Sequence, residues 1–162
     1  MKLEPLVLDL AGALRRAGLM MAAAESCTGG LIAAACTAVA GSSDWFERGF
    51  VTYSNAAKTD LLGVDPALLR AHGAVSEPVA LAMAAGALQR APVQRSVAVT
   101  GIAGPGGAVP GKPVGTVWLA VGTRAATDQP HTQAWLLQLD GDRGAVRHAT
   151  AVAALQALRR TL

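Results

Sequence analysis

The stretch LMMAAAESCTGGLIAAACTAV, residues 19–39, decides the fold. Its first six residues, Leu19 to Ala24, are apolar and short, which predicts a buried strand rather than a helix. Glu25-Ser26-Cys27-Thr28-Gly29-Gly30 interrupts the run with a tight polar turn, and Leu31 to Val39 resumes as an alanine-rich helix. Strand, turn and helix in direct succession are the building unit of layered α/β proteins.

Working outward, Leu6, Leu10, Leu14 and Ala17 recur at three- and four-residue steps, so Leu3 to Ala17 is expected to be an amphipathic helix that Gly18 ends. Gly41-Ser42-Ser43-Asp44 is expected to cap a short helical piece running through Trp45 and Phe46. Gly49 to Tyr53, with β-branched and aromatic residues, predicts a second strand. Ser54 or Asn55 then caps a helix that carries Lys58 in its first turn and closes at Gly63. Ser76-Glu77-Pro78 opens a helix from about Val79 to Arg90, and Ser96 to Thr100 predicts a third strand. After a glycine- and proline-rich stretch from Gly101 to Pro113 come two longer strands, Val114 to Val121 and Gln133 to Leu139, joined by a polar turn around Asp128 and hence antiparallel. Gly141-Asp142 caps a final helix over Arg143 to Leu162. These elements predict a single α/β/α layered domain, residues 1–162, with a mixed parallel and antiparallel sheet.

The chain of 162 residues is 52% hydrophobic but only 4% aromatic, so small side chains must build the core by close helix-on-sheet contact. Fourteen Lys and Arg against eleven Asp and Glu leave a net charge of +3, scattered rather than gathered into a face, which argues against a nucleic-acid partner. A few positive groups near a cleft suit an anionic small molecule equally well. Cys27 and Cys36 match neither a metal knuckle nor a secreted disulfide framework and read as reduced thiols. With Glu4 and Asp9 near the start and no run of eighteen apolar residues, neither a signal peptide nor a membrane span is expected, and the cytoplasm is the expected compartment. His72, His131 and His148 show no ligand spacing, so no metal and no cofactor are expected.

Three segments carry side chains suited to chemistry. Ser26 stands at a strand tip, with the backbone N–H groups of Thr28, Gly29 and Gly30 beyond it at a helix start, a place suited to a phosphate or an oxyanion. For an isolated serine, a helix cap is the commoner role. Tyr53 and Lys58 lie at the end of the second strand and the start of the next helix. A partly desolvated lysine is able to activate a serine, with Tyr53 relaying the proton or holding the amine; a solvated lysine and a ring over the core are the plainer alternative. The loop from Gly101 to Gly107 is neither a P-loop nor a dinucleotide fingerprint, but its exposed amides suit a ligand. Arg143 and Arg147 add guanidinium groups at the last helix, where a surface ion pair is the ordinary role.

Together, AESCTGG at 24–30, GSS at 41–43, FVTYSN at 50–55 followed by Lys58, HGAVSEP at 72–78, TGIAGPGG at 100–107, KPVGTVW at 112–118 and GDR at 141–143 resemble the CinA C-terminal domain family. Those segments run in the family's order across nearly the whole chain. The resemblance implies hydrolysis of nicotinamide mononucleotide to nicotinate mononucleotide and ammonia, in pyridine nucleotide salvage. It implies Ser26 as nucleophile and Lys58 and Tyr53 as proton-handling partners. It further implies a substrate pocket of Thr28, Gly29, Gly30, Ser54, Asn55, Thr100, Gly101, Gly104 and Arg143; self-association into a homo-oligomer is expected separately, from the small alanine-rich domain. Larger family members carry a further domain resembling molybdopterin-binding proteins, so a pyrophosphatase activity attached to that domain is not expected here. The family often has an acidic residue where Ala56 stands and an acidic pair where Val109-Pro110-Gly111 stand, so rate or substrate preference is expected to differ. The rival expectation is a non-catalytic pyridine-nucleotide sensor using the same turn and loop only to bind.

Overall fold

The computed structural model describes residues 2–125 and 129–162. Among them the chain runs α1 (Leu3–Ala17), β1 (Met21–Glu25), α2 (Leu31–Thr37), a short 3-10 turn (Ser42–Asp44), β2 (Phe46–Val51), α3 (Asn55–Leu62), α4 (Pro66–His72), α5 (Glu77–Arg90), β3 (Arg95–Gly101), β4 (Thr116–Thr123), β5 (His131–Gln138) and α6 (Arg143–Arg159). The turn expected around Asp128 lies outside the described residues.

One sheet of order β2-β1-β3-β4-β5 forms the middle layer. β1 pairs in parallel with β2 and β3, while β3–β4 and β4–β5 are antiparallel, which is the mixed sheet expected. Strand residues alternate faces. Met21, Ala23, Val97, Val99, Leu119 and Val121 point to one side and pack with α1, α2 and α6. Ala24, Ala98 and Ala120, aligned in one row across three strands, point to the other side and meet α5. With methyl groups alone on that row, α5 lies close to the sheet and fills the layer with Ala80, Met83, Ala84 and Ala87. No helix of the described residues is long and apolar enough to cross a membrane.

Several boundaries differ from expectation. β2 begins at Phe46 rather than Gly49, because Met21 of β1 already pairs with Phe46, so the expected helical piece stops at Asp44. β2 also ends at Val51, so Tyr53 stands two residues beyond the strand rather than at its end. α2 stops at Thr37, and α6 stops at Arg159 rather than running to Leu162. β4 starts two residues later than expected, since Gly115 turns the chain with φ 90° while its N–H donates to Ile102 O. The helix α4 was not expected at all; Asp65 caps it by accepting from Ala67 N, with Pro66 in its first turn.

The parallel strands share one carboxyl edge. From that edge β1 leads towards β2 on one side, whereas β3 leads towards β4 on the other. A crevice at such a divergence is where open α/β sheets bind ligands.

Candidate active site

Ser26 is the first residue past β1, where its N–H continues the ladder by donating to Val99 O at 3.1 Å. Thr52, the first residue past β2, donates its N–H to Glu25 O at 2.8 Å. These two bonds hold the exits of neighbouring strands side by side. The chain after β2 then enters α3, whose Ser54 cap accepts from Ala57 N at 3.0 Å, so Ser54 rather than Asn55 is the cap. Lys58 sits in the first turn of that helix, and its side chain reaches back beneath the strand ends.

The result is a contact across 32 residues of sequence: Lys58 Nζ lies 3.1 Å from Ser26 Oγ. The amine also donates to Thr52 O at 3.0 Å and, at a longer 3.5 Å, to Tyr53 O. Lys58 is 1% exposed and has no carboxylate partner among the described residues. Burial holds its amine below the ordinary lysine range. The Cys27 thiol is pushed up to about 11 by burial, which keeps it protonated and unreactive.

Around this pair lies a cavity of about 240 Å³ lined by Ser26, Cys27, Tyr53, Asn55, Lys58, Ala74, Val75, Thr100, Gly101, Ala103 and Arg143. Of the expected pocket residues, the fold therefore gathers Ser26, Tyr53, Lys58, Asn55, Thr100, Gly101 and Arg143. Thr100 Oγ1 donates to Ala74 O at 2.9 Å, which ties the end of β3 to the loop before α5. Arg143 spans the mouth, donating from Nη1 to Gly104 O at 2.8 Å and from Nη2 to Tyr53 Oη at 2.9 Å. Gly104 thus enters the site through its carbonyl. A larger hollow of about 610 Å³ lies at the opposite edge of the sheet beside Gln94, Arg95 and Arg124.

Two expectations are changed by this geometry. The phenol of Tyr53, 59% exposed, bonds Arg143 rather than Lys58 or Ser26, so the lysine is held chiefly by Thr52 O and meets the tyrosine only at its backbone carbonyl. The start of α2 is only partly open, since of the three expected backbone donors the Gly29 N–H is already taken. Gly29 N–H donates to Ser26 O at 3.0 Å, and the Thr28 hydroxyl donates to Glu25 Oε1 at 2.7 Å. Thr28, Gly29, Gly30 and Ser54 do not line the cavity. The Cys27 N–H, next to Ser26, donates to nothing outside its own residue among the described residues.

Sequence reasoning missed Glu25, Ala74 and Val75. The last two belong to the HGAVSEP segment, whose residues could be quoted but not given a place without knowing that β3 delivers Thr100 beside them. For Glu25 there was a signal, a lone carboxylate closing an otherwise apolar strand.

The CinA C-terminal domain family model matches residues 3–162. A CinA-like protein of Mycolicibacterium gilvum is 56% identical over 90% of this chain, and the chain spans about a third (34%) of its length. A nicotinamide-nucleotide amidohydrolase PncC of Shigella flexneri is 51% identical over 90% of this chain and 86% of its own. A solved competence/damage inducible protein from Agrobacterium tumefaciens superposes with a TM-score of 0.91 at 47% identity, covering 96% of this chain and 93% of the other.

Proposed function

As the chain belongs to the CinA C-terminal domain family, we propose that it is a nicotinamide mononucleotide deamidase whose chemistry is carried by Ser26 and Lys58. The observation that carries this reading is the 3.1 Å approach of a serine hydroxyl to a buried amine at the wall of a cavity of about 240 Å³. The amidohydrolase relatives, matched over most of both chains, supply the substrate.

Lys58 suits the role of general base because its surroundings fit both of its protonation states. A neutral amine has two N–H donors and one lone pair. Its two donors are taken by Thr52 O and Tyr53 O, and its lone pair is left to accept the Ser26 proton. After transfer, the ammonium's third N–H points at Oγ. Ser26 then attacks the carboxamide carbon, and the Cys27 N–H is the donor nearest to stabilise the oxyanion, a contribution of about 3 to 4 kcal/mol. As the C–N bond breaks, Lys58 returns its proton to the nitrogen, which leaves as ammonia. Water, deprotonated by the same amine, cleaves the resulting ester to nicotinate mononucleotide and frees Ser26. Arg143 at the mouth holds the phosphate by exchanging its bonds to Tyr53 and Gly104 for phosphate oxygens. Tyr53 walls the entrance, and Asn55 and Gly101 complete the pocket.

The reading also places the protein in the cytoplasm, in pyridine nucleotide salvage, and as a homo-oligomer, the last measurable by light scattering. A coupled ammonia assay on purified protein tests the function. Ammonia released in step with loss of nicotinamide mononucleotide is expected, whereas tight binding without release identifies a sensor.

A further inference from the structure

We infer that Glu25 and Thr28 form a positioning clamp for Ser26, and that the same clamp takes the start of α2 out of play as an anion site. The inference deepens the deamidase reading and rests on it for its kinetic test.

Glu25 is fully buried, and no Lys or Arg pairs with it among the described residues. A carboxylate in such a place is costly unless donors surround it. Three do: Thr28 Oγ1 at 2.7 Å, Ile32 N at 2.8 Å and Ala33 N at 2.9 Å. The side chain therefore reaches past the whole Ser26–Gly30 turn and anchors the first turn of α2 back onto the end of β1. Thr28, also fully buried, is gripped from the other side, where Arg147 Nη2 of α6 donates to its carbonyl at 2.8 Å. Ser26 and Cys27 are strung between the fixed Glu25 and the doubly held Thr28. Their two-residue span has little freedom to turn, and the Oγ position depends on both ends staying put. Neither Glu25 nor Thr28 lines the cavity, so both act through Ser26 rather than on substrate.

The second half follows from charge. The positive end of a helix attracts anions through its free N–H groups. Here a built-in carboxylate occupies Ile32 N and Ala33 N and sits where an incoming anion would have to go. A substrate phosphate is repelled from that end and left to Arg143.

Steady-state kinetics of Thr28→Val and Thr28→Ser test the clamp. Thr28→Val is expected to lower kcat about 100-fold, the scale of a 1 Å misplacement, with KM within about twofold. Thr28→Ser, which keeps the hydroxyl, is expected to recover kcat to within about threefold. An unchanged kcat in Thr28→Val with only a lower melting temperature overturns the clamp, as does a rise in KM alone. Should Thr28→Val not fold, Glu25→Gln is read by the same criteria. Inhibition by inorganic phosphate is expected to be tighter in Glu25→Gln than in wild type, because the repelling charge is gone, and inhibition that is unchanged or weaker there overturns the second half. If wild type releases no ammonia, the deamidase reading alone fails. A crystal structure of Thr28→Val then judges the clamp without substrate: Ser26 Oγ beyond hydrogen-bond reach of Lys58 Nζ upholds it, and an unmoved Oγ overturns it.

Discussion

Lys58 is 1% exposed, its amine held by two backbone carbonyls and by no counter-charge among the described residues. Burial lowers its proton affinity below the ordinary 10.5, so the neutral base is present at a lower pH than a surface lysine allows. The acid limb of the pH profile of kcat/KM is therefore expected to rise through a value under 10.5. The same shift acts on stability. Between the folded value and the unfolded value the unfolded chain binds more protons, so stability increases with pH across that window, and Lys58→Met is expected to remove this increment in denaturant titrations. Arg143 supplies a second prediction at this scale. Losing a charged hydrogen bond of about 1.5 to 3 kcal/mol should raise KM about 10- to 100-fold in Arg143→Ala with kcat little changed. The meeting of Ser26 and Lys58 was legible through the order of the segments that carry the family resemblance. The role of Glu25 was not, since nothing in the sequence tells that its side chain crosses the turn to reach Ile32 and Ala33.

At the scale of elements, α3 delivers the lysine, and its start depends on Ser54. Ser54→Ala removes the bond to Ala57 N and is expected to cost about 1 kcal/mol of stability in chemical denaturation, with a several-fold loss of kcat as the first turn loosens around Lys58. α3 is in turn braced by α5 at Gly86, where an added Cβ would stand 2.1 Å from Leu62 O. Gly86→Ala is expected to destabilise the protein by about 1 to 3 kcal/mol, a lowered thermal midpoint being the readout. The helices with long periodic patterns were readable in advance, and so was the strand-turn-helix unit around Ser26. Short α4 was passed over because seven residues hold too little periodicity, although Asp65-Pro66 is a proper start signal. The early start of β2 at Phe46 depends on pairing with Met21, a non-local fact that no window of sequence contains.

At the scale of the whole molecule, the interior must keep its two thiols protonated. Burial pushes Cys27 from 9.0 to about 11 and Cys36 to about 12. Above pH 9 the unfolded chain sheds these protons while the folded protein does not, so each thiol lowers stability by up to about 1.4 kcal/mol per pH unit until its folded value is passed. Two thiols outweigh the opposite trend from Lys58, and a net loss of stability between pH 9 and 10.5 is expected, shallower in a Cys27→Ala, Cys36→Ala variant. The layered architecture and mixed sheet were foreseeable from the order of elements. What required three dimensions was the divergence of β1 and β3 at one sheet edge, which turns three separate segments into one crevice. The most direct test of that crevice as a single catalytic unit is the rate of ammonia release from nicotinamide mononucleotide by Ser26→Ala, by Lys58→Ala and by the double variant. Each single change is expected to lower kcat by about 10⁴-fold, with the double variant no worse than either, as for residues that act together. A single variant turning over at the wild-type rate, or losses that multiply in the double, would contradict it.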